Sequence, residues 1–115
     1  MDNKYEKLIQ NILDWGYAIN QGDGKIANRK YKTILVLVKR VNEKEPINLI
    51  IKELLSYSEI PINYWAFVIA LKNCVFEDNA IRGLTDLAKN TTTGPIGALA
   101  RIGVLEWEEK SKTHK

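Results

Sequence analysis

The chain holds a single cysteine, Cys74, and a single histidine, His114. A protein-only zinc site normally draws four ligands of these types, and a disulfide framework needs paired thiols, so neither is expected. With the sole imidazole near the end of the chain, Ser-His and Cys-His nucleophile pairs and the commonest general base drop out as well. Phosphate-cradling loops are missing too. Gly22-Asp23-Gly24 has neither a preceding strand nor a third glycine, and no Walker-type sequence occurs. Acidic neighbours do occur, at Glu77-Asp78 and at Glu106, Glu108 and Glu109, and helix-end electrostatics and solvation account for them. These absences point away from an enzyme and away from a bound metal or cofactor.

Long apolar runs are equally scarce. The longest, Tyr64 to Leu71, covers eight residues, against the ~20 a membrane-spanning helix requires. At the start of the chain Asp2, Lys4, Glu6, Lys7 and Asp14 interrupt any export signal. Neither a membrane partner nor secretion is expected, and a cytoplasmic location with a reduced Cys74 follows by default.

Strand alternation, hairpin dipeptides such as Asn-Gly, and long linkers are absent. What remains is 115 residues, 45% hydrophobic and 27% charged, which suffice for one packed domain. Tyr5, Leu8, Ile9, Ile12 and Leu13 have the spacing of one helix face, with Asn3 and Glu6 in the form of a capping box and Gly22 as the stop. Asp23 then caps a second helix from about Lys25 to Asn42. A third starts at Pro46 and carries Ile47, Ile50, Ile51, Leu54 and Leu55. A fourth starts at Pro61 or Ile62 and contains the run Tyr64 to Leu71, whose composition also suits a strand, while Ala66 and Ala70 favour helix. Glu77 and Asp78 open a fifth helix that closes at Lys89 and Asn90, and Thr93 with Pro95 starts a sixth that passes through Trp107. Residues 1–110 then form one helical-repeat domain, followed by a frayed tail over 111–115.

A shift of 34 positions places Pro61-Ile62 on Pro95-Ile96, Ala66 on Ala100 and Leu71 on Leu105. A period of that size with helix, turn, helix in each unit is how helical solenoids are built. The expected fold is all-α: six helices as three antiparallel hairpins, stacked as a short right-handed HEAT-like solenoid. A plain helical bundle is the alternative.

Gly22-Asp23-Gly24-Lys25 with Asn28-Arg29 and Tyr31, followed by Leu54-Leu55, Ala66, Ala70-Leu71, Ala80, Leu84, Leu87-Ala88, Gly97-Ala98, Leu99 and Trp107, resembles a small bacterial domain-of-unknown-function family with HEAT-like helical repeats. The resemblance covers Ala18 to Trp107, and its distinctive element is Asn28-Arg29 after the Gly-Asp turn. Near the start of helix four the family pattern has a small apolar residue followed by Arg, where this chain has Tyr64-Trp65. The resemblance implies a fold and a loose association with toxin-immunity and protein-binding settings, with no established activity.

Lys25, Arg29, Lys30, Lys32, Lys39 and Arg40 lie in one stretch that contains no acid, although the whole chain carries only +3. At ~100° per residue, Lys25, Arg29, Lys32, Lys39 and Arg40 fall within about a third of the helix circumference. In a stack of hairpins, helices two, four and six would share a concave surface, where Arg101 and its repeat equivalent Phe67 could extend the stripe. A solvated face is the plain alternative, but such faces usually mix signs. The stripe suggests a non-enzymatic protein-binding module, an adaptor or a toxin-neutralising partner, acting on an acidic protein surface. Nucleic-acid binding through the same cations is the second reading, weakened by the small net charge. The chain is expected to be a monomer or a weak homodimer.

Overall fold

Asp23 and Gly22 show how short-range chemistry sets the first corner of the fold. In a computed structural model that describes residues 5–113, Gly22 ends the first helix at φ 74°, a left-handed conformation that glycine adopts without steric cost. The Asp23 carboxylate then accepts the Ile26 N–H at 3.1 Å and caps the next helix. The elements are α1 (Glu6–Gln21), α2 (Gly24–Asn42), α3 (Ile47–Leu55), α4 (Ile60–Lys72), α5 (Glu77–Lys89) and α6 (Pro95–Thr113), with a 3-10 turn at Thr91–Thr93 before α6. Among the described residues there is no strand, and the chain is all-α.

The ends of the helices differ from the expected ones at α3, at α6 and at α4, which begins at Ile60 instead of Pro61 or Ile62. Tyr5 precedes α1 without capping it through its side chain, and Asn3 lies outside the described residues. Pro46 is extended, at φ −58° and ψ 145°, so α3 begins one residue later. The Thr93 hydroxyl donates back to the carbonyls of Leu87 at 2.8 Å and Asn90 at 2.7 Å, closing the end of α5 instead of capping α6. In addition α6 continues to Thr113, into the segment expected to fray, while His114 and Lys115 lie outside the described residues.

The ambiguous run Tyr64 to Leu71 is helical because α4 has neighbours on several sides. It packs against α1, α3, α5 and α6, so Ile62, Trp65, Ala66, Ile69 and Ala70 are buried, with Tyr64, Phe67, Val68 and Leu71 half-buried between them. A helix covered on most of its circumference has no polar face for periodicity to reveal. Its contact with α1 is close: a Cβ placed on Gly16 would stand 2.5 Å from Pro61 Cγ. Beyond that contact the Trp15 ring stacks on Tyr64 with centroids 5.4 Å apart and meets Trp65 edge-on at 5.6 Å. Tyr31 of α2 reaches the same cluster, 5.2 Å from Trp65. Four rings thus tie α1, α2 and α4 together.

Consecutive helices pack as α1 on α2, α3 on α4, α4 on α5 and α5 on α6, and α2 barely meets α3. The first helix also touches the last, α1 against α6, a contact that an open linear stack of three hairpins does not make. The radius of gyration is 13.9 Å, close to the ~13 Å of a compact chain of this length. Within the 34-residue repeat, Ile62 and Ile96 are both buried, as are Ala66 and Ala100. The likeness ends one turn later, where Leu71 is half-buried and Leu105 is 55% exposed.

Candidate functional site

The buried side of α2 consists of Ala27, Ile34, Leu37 and Val38. Counting ~100° per residue, Lys25, Arg29, Lys32, Lys39 and Arg40 fall on the opposite side, and all five are exposed. Val36, 49% exposed, lies among them, and Ile26, 40% exposed, lies at their edge. Among the described residues none of the five cations makes a salt bridge. Lys30 differs because it projects from the flank of α2 toward α1. Its Nζ stands 3.4 Å from Asp14 Oδ2 and donates to Asn11 Oδ1 at 3.3 Å. The helix therefore neutralises the cation that faces the protein and leaves the outward ones to solvent.

Phe67 and Arg101 have other surroundings. The Phe67 ring is half-buried and lies against Gly83 of α5, where even a methyl group would collide with it. Arg101 is exposed and lines a cleft of ≈ 550 Å³ with Asn90, Thr93, Ala98 and Ile102 near the 3-10 turn. On the helical wheel it points away from Gly103 and Trp107 on the same helix. The structure gathers five of the seven expected residues on one face of α2 and sets Phe67 at the α4–α5 contact and Arg101 on the far side of α6.

A second feature lies where α2, α4 and α6 approach one another. A groove of ≈ 580 Å³ is lined by Tyr31 of α2, by Tyr64, Val68 and Leu71 of α4, by Glu106 and Trp107 of α6, and by Glu77 at the start of α5. The Trp107 indole N–H donates to Glu77 Oε2 at 3.2 Å and joins the two walls. Burial, then the nearby Tyr31 and the Glu106 carboxylate, push the Tyr64 hydroxyl up to about 12. Lys72 and Lys110 also border the groove, as does Cys74, an exposed thiol on a left-handed backbone at φ 55°.

No family model, curated protein or solved structure matches this chain. Among the described residues no helix is long and apolar enough to cross a membrane, and no three His, Cys, Asp or Glu side chains converge as metal ligands would. None of the residues selected by charge periodicity lines the groove. Its walls escaped the sequence because Tyr64 reads as core and because the bond from Trp107 to Glu77 joins positions on different helices. The available signal was weaker: acidic and aromatic residues side by side at Glu106-Trp107, near the end of the chain.

Proposed function

We propose that this chain is a non-enzymatic protein-binding module whose outward face of α2 docks on an acidic protein surface. The observation that carries the reading is the contrast within one helix. Lys30 is paired with Asp14, whereas Lys25, Arg29, Lys32, Lys39 and Arg40 are exposed and unpaired among the described residues. Five like charges on one face repel one another, a cost that an acidic partner converts into attraction and faster association. Val36 and Ile26 add apolar contact area within and beside that charge. The resemblance to a bacterial family with protein-binding and immunity associations agrees with this reading, and a toxin neutralised in this way would carry an acidic surface. Three hairpins fit the packing of α1 on α2, α3 on α4 and α5 on α6, with α4 packed on α5 as well and the contact of α1 with α6 drawing them into a closed arrangement.

The test is affinity capture from host lysate with wild type and with the double variant Arg29→Glu/Lys32→Glu, each with and without nuclease. A protein that survives nuclease treatment, remains bound at moderate salt and is lost with the variant supports the reading. Recovery of nucleic acid, with affinity falling steeply as salt rises, replaces it with the nucleic-acid reading. Equal capture by both proteins makes the stripe a solvated face.

A further inference from the structure

The groove between α2, α4 and α6 lies on a different side of α2 from the basic face: Tyr31 borders it, while Lys25, Arg29 and Lys32 point elsewhere. Tyr31, Tyr64 and Trp107 supply aromatic surface, and Glu77 and Glu106 supply carboxylates. Glu77 has one oxygen engaged by the Trp107 N–H, which fixes the side chain and leaves the other oxygen free to accept. Glu106 is exposed and, among the described residues, has no hydrogen bond or ion pair.

We infer that this groove is a binding site for an arginine side chain presented by a partner protein, with the guanidinium held between the rings of Tyr64 and Trp107 and the carboxylates of Glu77 and Glu106. The charge and shape of the walls select that occupant. A planar guanidinium stacks on aromatic faces and presents a fork of N–H donors that matches carboxylates two at a time. A quaternary ammonium would use the rings but leave both carboxylates without donors. An uncharged aromatic ligand would desolvate them for no return. Lys72 and Lys110 border the same groove, but the charge that acts on the Tyr64 ring is acidic: its hydroxyl is raised first by burial, then by Tyr31 and the Glu106 carboxylate. The site is independent of the α2 face, so either can fail without the other.

The probe is N-acetyl-arginine N-methylamide, added to the whole chain while the Trp107 indole N–H is followed by ¹H–¹⁵N NMR, with the citrulline and lysine counterparts as controls. A saturable shift with arginine, none with citrulline, and a dissociation constant raised about fivefold or more in Glu106→Gln is the expected result. Equal shifts from arginine and citrulline overturn the inference, because citrulline keeps shape and polarity without charge. So does the absence of a saturable shift at Trp107, or an affinity for arginine unchanged by Glu106→Gln in a protein whose other resonances match wild type.

Discussion

Gly16 of α1 and Pro61 of α4 meet so closely that a Cβ on the glycine would lie 2.5 Å from Pro61 Cγ and 2.8 Å from Pro61 Cβ. Neither contact can relax cheaply, since the proline ring is rigid and sits in the first turn of a helix packed on several sides. Gly16→Ala is expected to cost about 2–3 kcal/mol through overpacking, despite the helix-propensity gain that the same change gives elsewhere. Thermal denaturation checks this. Pro61→Ala should restore part of the loss, because it removes Cγ and keeps Cβ.

Tyr64 governs the response to alkali. Its hydroxyl is raised to about 12 from the usual 10, so the folded state prefers the neutral phenol. The stability from that preference is complete below pH ~10 and disappears as pH rises toward ~12, a loss of roughly 3 kcal/mol. Urea unfolding of wild type and Tyr64→Phe across that window should show a flatter profile for the variant. Parallel profiles would mean that the phenol is not selectively kept neutral.

Legibility in the sequence followed the range of the interactions involved. The turn at Gly22-Asp23 depends on neighbouring residues, and pattern alone places it, whereas α4 begins at Ile60, just ahead of the Pro61 or Ile62 that the pattern marks. The basic face of α2 was equally readable, because a helix wheel needs only the helix. Arg101 shows where this stops. The periodicity of α6 already sets it opposite Gly103 and Trp107, yet whether that side turns toward α2 depends on how α6 packs, which no local pattern encodes. The apolar run in α4 could not declare itself helix or strand because its several neighbours erase the polar face. The groove lay beyond reach for the same reason, since Glu77 and Trp107 become partners only after α5 and α6 have docked.

Trp65 is fully buried, and its Nε1 has no hydrogen-bond partner among the described residues. A buried donor left unpaired carries a desolvation penalty of about 1–3 kcal/mol. Trp65→Phe removes that penalty as well as ring volume, so it is expected to cost less than about 2 kcal/mol, against about 3–5 for Trp65→Ala. Chemical denaturation of the two variants gives the comparison. A loss above about 3 kcal/mol for Trp65→Phe would indicate that the indole N–H is satisfied, since a hydrogen bond would then be lost along with the volume.

Cys74 reports on the field inside the groove because its thiol is exposed and lies on the wall. A cationic methanethiosulfonate should modify it about threefold faster or more than an anionic one at low salt. The ratio should fall toward one in Glu77→Gln/Glu106→Gln, in which an amide oxygen can still accept the Trp107 N–H. Mass spectrometry over time measures both rates. A ratio below one in wild type would mean that Lys72 and Lys110 dominate the groove.

The central position of α4 has a consequence for how the chain comes into being. Synthesis delivers α1 and α2 well before the helix that their rings require, and Trp15 has neither Tyr64 nor Trp65 to cover it until α4 has been made. The contact of α1 with α6 waits longer still. The N-terminal pair is therefore an incomplete structure that carries an apolar, tryptophan-bearing surface while the ribosome is at work. Cooperative folding is postponed until the second half of the chain arrives, and a nascent chain halted before α4 is a ready substrate for chaperones and proteases.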